Sequence, residues 1–355
     1  MTRDPRRSDG PPTSPKAVLL GTSGGPRWWS DRAGIATAVV VDDGFYLVDC
    51  GSGVGRQLSR AGLRLDDLRG VFVTHLHSDH VIDLAGLGIF GVFGLEHRSG
   101  PRIPIYGPGG RGAVVAVSGR AEQDRPVLYP DDPAPGIASF WELSMRAAAA
   151  DLNDRYRDSL HPAPAELFAP REIPLPDDLD FDPDANPSPA MAPVVVHRDE
   201  RVTVTATLVH HPPMAPAFGF RFDTEAGSVT ISGDTAPCAN LVRLASGTDL
   251  LLHEVIDESW IEQRYGSGTS PRTRTMRDHH LLAHTTVAQA GEIARAAGAD
   301  TLALHHYVPG GRPASAWEAV HDHFEPAIVG EDLMEIPFGR TRRPTSADDL
   351  LSARA

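Results

Sequence analysis

Apolar residues in this chain fall mostly in short runs closed by glycine, proline or acidic residues, a pattern of buried strands. Residues 17–22 read as a strand entering the Gly-rich turn Ser23-Gly24-Gly25-Pro26. Residues 37–41 and 45–49, parted by Asp42-Asp43-Gly44, predict a hairpin. Residues 71–74 predict another buried strand, and 103–108 a short one ending in a turn. The strand pattern resumes at 194–197, 202–209, 218–222, 229–232, 250–253 and 301–304. Helices are predicted over 51–63, within 81–95 and over 285–298. Residues 137–160 differ in kind. Trp141, Met145, Ala148, Leu152 and Tyr156 recur at helical spacing and predict one long amphipathic helix. Its ordinary role is core packing; a lid, a pocket wall or a dimer contact is the alternative. Residues 161–193 carry nine prolines and several acids, so they predict an irregular connector. The halves on either side are alike in element type without repeating in sequence.

A length of 355 residues with 41% hydrophobic and 23% charged residues is that of an ordinary globular protein able to bury a full core. The expected organisation is a disordered tail at 1–16, a single domain at 17–345 with a helical, Pro-rich insertion at about 120–193, and a second tail at 346–355. Arg6 and Arg7 are followed by no apolar stretch suited to a signal peptide, and no run of about 18 apolar residues predicts a membrane span. A cytoplasmic location follows as the expectation. Cys50 and Cys238 lie in no CxxC pair and read as buried free thiols. The formal net charge of −14 counts against a large anionic partner and suits a small or neutral substrate.

The sixteen histidines matter by placement. His75 and His77 follow the strand at 71–74, His210 and His211 that at 202–209, and Asp234 that at 229–232. His253 and Glu254 follow 250–252, and His305 and His306 follow 301–304. Loops at strand ends carry active sites because a rigid sheet positions them. Within His75-Leu76-His77-Ser78-Asp79-His80, ligands two residues apart in an extended segment face one side, so His75 and His77 can grip one ion. Asp79 and His80, on the following turn, can reach a second. Imidazole nitrogen with carboxylate oxygen suits zinc, and manganese or iron also fit.

The run Thr74–His80 resembles the signature of the metallo-β-lactamase superfamily, and within it the ribonuclease Z and arylsulfatase-like branch. The resemblance spans roughly 17–110 and 200–310. It is carried also by Leu20-Gly21-Thr22, Val48-Asp49-Cys50-Gly51, Pro216-Ala217-Phe218-Gly219-Phe220-Arg221, Ser232-Gly233-Asp234-Thr235, His253-Glu254-Val255, Ala283-His284-Thr285-Thr286 and Leu304-His305-His306-Tyr307. It implies an α/β protein of mixed α+β kind, a four-layer αββα sandwich with the active site along one edge. It implies two Zn2+ ions, with Mn2+ or Fe2+ as substitutes. His75, His77 and His211 would bind the first; Asp79, His80 and His306 the second; Asp234 would bridge both. His211 is preferred to His210 as nearer the Pro-Ala-Phe-Gly-Phe-Arg run. His306 is preferred to His305 because the family has one histidine just before an aromatic or apolar residue there.

By the same resemblance His284 would be the general acid and Glu254 the carboxylate that orients it. The plain alternative is a helix-start histidine with Thr285 as the N-cap. His97, His161, His197, His279, His280, His321 and His323 read as surface or structural residues. A bridging hydroxide would attack the substrate, and Asp79 would be indispensable. Ribonuclease Z carries a basic, Gly/Pro-rich arm that grips transfer RNA, whereas the segment between the second and third motifs here is acidic and Pro-rich. The leading expectation is therefore hydrolysis of a small ester: a phosphodiester, a sulfate ester or a lactone. A ribonuclease Z-type endonuclease acting on the 3′ end of a tRNA precursor is the alternative, which a cluster of Lys and Arg on the site's rim would support. A non-catalytic metal-bound sensor or scaffold is the third. A homodimer is expected from the resemblance, and no membrane partner.

Overall fold

The computed structural model describes residues 14–339, except 97, 99, 119, 120, 122, 124 and 267–269. The expected C-terminal tail, most of the N-terminal one and His97 thus lie outside the described residues. In the first half the chain forms β1 (Lys16–Gly21), β2 (Ala36–Val41), β3 (Gly44–Val48), α1 (Val54–Arg60), β4 (Leu68–Phe72), α2 (Ser78–Val81), α3 (Leu84–Gly94) and β5 (Ile103–Pro108). There follow α4 (Ile137–Ala147), α5 (Ala149–Arg157), α6 (Pro164–Leu167) and β6 (Phe168–Ile173). The second half adds β7 (Val194–Arg198), β8 (Thr203–Leu208), β9 (Phe218–Asp223), β10 (Ser228–Ile231), α7 (Ala239–Leu244) and β11 (Leu250–Ile256). It closes with α8 (Glu258–Tyr265), α9 (Pro271–Ala283), α10 (Val287–Ala297), β12 (Thr301–Val308), β13 (Ala327–Val329) and β14 (Glu335–Pro337). No helix among the described residues is long and apolar enough to cross a membrane.

The strands form two seven-stranded sheets, ordered β14-β1-β2-β3-β4-β5-β6 and β13-β12-β11-β10-β9-β8-β7. Alternation of side chains along each strand divides the core into layers. In β3, Tyr46 and Val48 face the second sheet, meeting Phe220, Phe222 and Leu252, while Phe45 and Leu47 face α1, α3 and α4. On the other side Leu251, Val255, Leu302 and Leu304 pack on α7 and α10. Both faces of both sheets are covered, which is why so many strands read as unbroken apolar runs. The result is the four-layer αββα sandwich.

Local chemistry accounts for the elements. Asp42, at φ 53, turns the β2–β3 hairpin, and Val41 pairs with Gly44. In α10 the buried Ala290, Ile293, Ala294 and Ala297 recur at helical spacing. Thr286, not Thr285, caps it: Gln289 N donates to Thr286 Oγ1 at 3.3 Å, Thr286 N donates to Gln289 Oε1 at 3.0 Å, and Gly298 ends it at φ 65.

Three expectations need correction. The helix over 137–160 is two, α4 and α5, broken at Ala148, whose ψ of 10° leaves the helical range. Trp141 is buried against Phe168 at 5.2 Å between ring centres, so α4 is core packing, while Tyr156 is exposed. The connector at 161–193 is not wholly irregular: it holds β6, an edge strand parallel to β5, where Pro170 is tolerated because one side of an edge strand needs no donor. Finally, Cys50 is buried but Cys238 only half-buried.

Candidate metal centre

Strand direction brings the notable residues to one edge. Strands β10, β11 and β12 are mutually parallel, and β8 runs the same way because β9 is antiparallel to both β8 and β10. Their carboxyl ends deliver His211, Asp234, Glu254 and His306 together. Strand β4, parallel to β3 and β5, delivers the run beginning at His75 from the other sheet.

Two clusters result. In one, His77 Nδ1 lies 3.0 Å from His75 Nε2 and 3.1 Å from His211 Nε2. In the other, His80 Nε2 and His306 Nε2 are 3.2 Å apart, and Asp79 Oδ2 lies 3.7 and 3.5 Å from them. Asp234 stands between, with Oδ2 3.9 Å from His75 and 3.8 Å from His211, and Oδ1 3.4 Å from His80 and 3.2 Å from His306.

These residues fit divalent cations. His77 Nδ1 faces two imidazole nitrogens at 3.0 and 3.1 Å, yet with a single hydrogen or a single lone pair it can hydrogen-bond only one of them. Ligands on a tetrahedral ion with bonds of ~2.05 Å stand about 3.3 Å apart, close to this spacing. Asp234 Oδ1 is buried without a hydrogen-bond donor, an orphan that a cation would satisfy. Burial and neighbouring imidazoles pull His75 and His211 well below the usual histidine range, leaving neutral rings with a free lone pair. Burial pushes Asp234 up, but His306 and His80 outweigh it and hold the carboxylate ionised.

Three of the rings are aimed by their other nitrogen or by the backbone. His211 Nδ1 donates to the Ala283 carbonyl at 2.8 Å, satisfying an end carbonyl of α9. His80 Nδ1 donates to Asp49 Oδ2 at 2.8 Å, and Asp49 also accepts from Thr74 N at 2.8 Å and Thr74 Oγ1 at 2.9 Å. His306 is aimed by a β-bulge. Glu254 pairs with His305 and Val255 with Tyr307, so His306 is the extra residue, in the left-handed conformation at φ 46. A Cβ on Gly24 would stand 2.6 Å from the His306 ring, so only glycine admits the imidazole there. His305 stays buried outside both clusters, and His210 turns away to Ser188 at 2.9 Å.

His284 lies beside this centre, its potential ligand atom within 4.8 Å of those of His211 and Asp234. Its Nδ1 donates to Glu254 Oε1 at 3.1 Å, and the same oxygen accepts from Thr235 N and Thr285 N at 3.1 and 3.2 Å. Burial pulls His284 down, but Glu254 and then Asp234 raise it above the usual range.

Sequence reasoning passed over several residues here. Asp49 ends β3 at the same edge, and the strand-end rule applied to Val48-Asp49 would have found it. His279 and His280 are half-buried near the carboxyl end of α9, beside His284, and burial pulls them to about 4 and about 3. His197 does act structurally, packed against Tyr46 and Phe72 and paired with Asp199 at 3.1 Å. A pocket of about 380 Å³ opens next to Asp79, lined by Arg27, Arg56 and Arg60 and by Trp28, which is 87% exposed. The three arginines are also exposed, and with Arg32 they outnumber the carboxylates of Asp31, Asp79 and Asp332 in the same pocket on a chain of net charge −14.

Residues 36–106 match the family model described as anti-Pycsar protein Apyc1. Over 325 residues the chain is 31% identical to a ribonuclease Z of Mycolicibacterium gilvum (strain PYR-GCK), covering 90% of this chain and 95% of the relative. The short form of human tRNase Z aligns with a TM-score of 0.60 at 21% identity, covering 92% of this chain and 100% of that one. The metallo-β-lactamase fold protein YhfI from Bacillus subtilis aligns with a TM-score of 0.57 at 18% identity, covering 91% and 99%. These two structures share the αββα fold.

Proposed function

The chain belongs to the ribonuclease Z family of metal-dependent hydrolases with the metallo-β-lactamase fold, and on that premise we propose that it is a dinuclear phosphodiesterase that cleaves RNA at the 3′ end of a tRNA precursor. The observation that carries the reading is Asp234, one oxygen turned to each cluster, with the His284–Glu254 pair alongside. Curated relatives named ribonuclease Z support it over the small-ester expectation, and so do the arginines beside Asp79, the rim cluster that such an enzyme needs.

His75, His77 and His211 would hold one cation and Asp79, His80 and His306 the other, with Asp234 shared; zinc suits the donors best. Such a pair supplies a water acidified enough to attack near neutral pH and positive charge for the phosphoryl oxygens. The chain's own groups do the rest. Glu254 fixes the orientation of His284 by accepting a hydrogen bond from Nδ1–H, so Nε2 can present its own proton to the departing ribose oxygen. Arg27, Arg56 and Arg60 would hold flanking phosphates, and Trp28 offers a face for a base.

A small phosphodiester is the second reading, favoured by the net charge of −14, which repels a long polyanion away from the pocket. One experiment separates the two: zinc-loaded protein given a tRNA precursor with a 3′ trailer and, separately, bis(p-nitrophenyl) phosphate. Cleavage at the trailer junction, absent in Asp79→Ala, is the expected result. Turnover of the small diester with intact RNA would transfer the conclusion to the second reading.

A further inference from the structure

We propose that His279, His280 and His284 form a third cation site, weaker than the two paired clusters, whose filling removes His284 from proton transfer; the last clause rests on the acid role given above. The potential ligand atoms of the three imidazoles lie within 4.8 Å of one another. His279 and His280 lie near the carboxyl end of α9, which stops at Ala283, and His284 is the residue that caps it. The negative end of a 13-residue helix favours a cation there.

The nitrogens are available. His280 Nδ1 is buried with no hydrogen-bond partner, and its Nε2 lies 3.2 Å from the Tyr265 hydroxyl. A proton on Nε2, donated to Tyr265, leaves the Nδ1 lone pair free and fixes the ring, as an outer hydrogen bond does for a metal-binding histidine. His284 already commits Nδ1 to Glu254 and has Nε2 to offer. The donors are three imidazole nitrogens without a carboxylate, His284 releasing its Nε2 proton as it ligates, and such a set selects zinc, cobalt or nickel over magnesium or calcium.

Spacing sets the affinity. Ring centres in the His75–His77–His211 cluster are 4.7–5.0 Å apart. Those of His279, His280 and His284 are 5.5–6.3 Å apart. An ion must draw these side chains inward, so the third site fills only after the other two. Its occupancy is incompatible with catalysis as proposed, because Nε2 of His284 cannot both ligate an ion and carry the proton for the leaving oxygen.

Cobalt(II) titrated into the full chain, followed by visible absorption and by turnover of a tRNA precursor and of bis(p-nitrophenyl) phosphate, tests this. Wild type should take two equivalents and then a third at higher free metal, with turnover falling as the third binds. The His279→Gln, His280→Gln double variant should stop at two and remain active, its inhibition midpoint moved by at least about 10-fold. Either single variant gives the same readout should the double variant unfold. A wild type that saturates at two, or a third equivalent that survives both substitutions, would overturn the site. Turnover that stays level while the third equivalent binds would overturn the inhibition and proton donation by His284, leaving the binding site in place.

Discussion

Replacing Asp49 with asparagine should weaken one cation site more than the other. Asp49 is 2% exposed and touches no proposed ligand except His80. Its Oδ1 accepts from Thr74 N at 2.8 Å, and its Oδ2 from His80 Nδ1 at 2.8 Å. An asparagine keeps the shape but has one oxygen. The backbone donor at Thr74 holds that oxygen, so the amide nitrogen faces His80 Nδ1. Two donors then confront each other unless the imidazole moves its proton to Nε2, the atom turned toward Asp79, Asp234 and His306. Loss of an orienting partner typically weakens metal binding ~10–100-fold, or about 1.4–2.7 kcal/mol. The cluster of His75, His77 and His211 meets Asp49 only through the Thr74 hydroxyl, which lies 3.1 Å from His75 Nδ1, and should be affected less. The assay is metal content by elemental analysis after dialysis against a graded zinc buffer, with thermal unfolding to confirm the fold. Wild type should hold two ions and the variant close to one at the lower zinc levels. Two ions held with wild-type affinity would refute the assignment of Asp49 as the positioning residue for His80.

Four further outcomes follow from the same geometry. His284→Ala should keep both ions at stoichiometric zinc yet slow turnover by ~10²–10⁴-fold, most for substrates with poor leaving groups; a p-nitrophenyl ester compared with an alkyl one reads this. Alanine at Arg56 and Arg60 should weaken RNA binding and flatten its salt dependence by about 0.7 for each phosphate no longer neutralised, measured by fluorescence anisotropy across a salt series. Trp141→Ala should cost about 3–5 kcal/mol by emptying the space between α4 and β6, seen in urea unfolding. Burial pushes Asp199 up, but hydrogen bonds from His197, Tyr46 and two backbone amides hold it well below the usual carboxylate range. A depressed carboxyl stabilises the fold above its unfolded value of roughly 4, an advantage lost as pH falls through the folded value. Asp199→Asn should therefore be less stable than wild type at pH 7, with the gap closing below pH ~4 in urea titrations.

Much of this architecture was legible because β-strands buried on both faces write themselves as apolar runs, and strands ending at one edge put their polar residues at or just past their carboxyl ends. His75, Asp234 and Glu254 are all of this kind. The helix α9 was not legible. Its sequence Pro-Arg-Thr-Arg-Thr-Met-Arg-Asp-His-His-Leu-Leu-Ala has no apolar stripe, Ala283 alone is buried, and only the Ser270-Pro271 start signal marks it. Its neighbour α8 was hidden by the same mixed pattern, so the roof that holds His279 and His280 went unseen. Strand β6 was masked by its proline. The basic pocket at Arg27, Arg56 and Arg60 was out of reach, because it joins the turn after β1 to one face of α1 and net charge averages such patches away.

The bulge in β12 separates two tasks that a regular strand would make one residue share. The ladder with β11 is complete without His306: His305 answers Glu254 and Tyr307 answers Val255. The inserted histidine carries no ladder partner and owes its direction to its left-handed backbone. Loss of the single codon for residue 306 would leave the hydrogen-bonded frame continuous while emptying the place of one imidazole. Substitution at 305 or 307 would instead injure the sheet and reach the site only through it. Within this family fold, a one-residue change in length is therefore a short mutational path from a hydrolase to an intact but metal-poor scaffold.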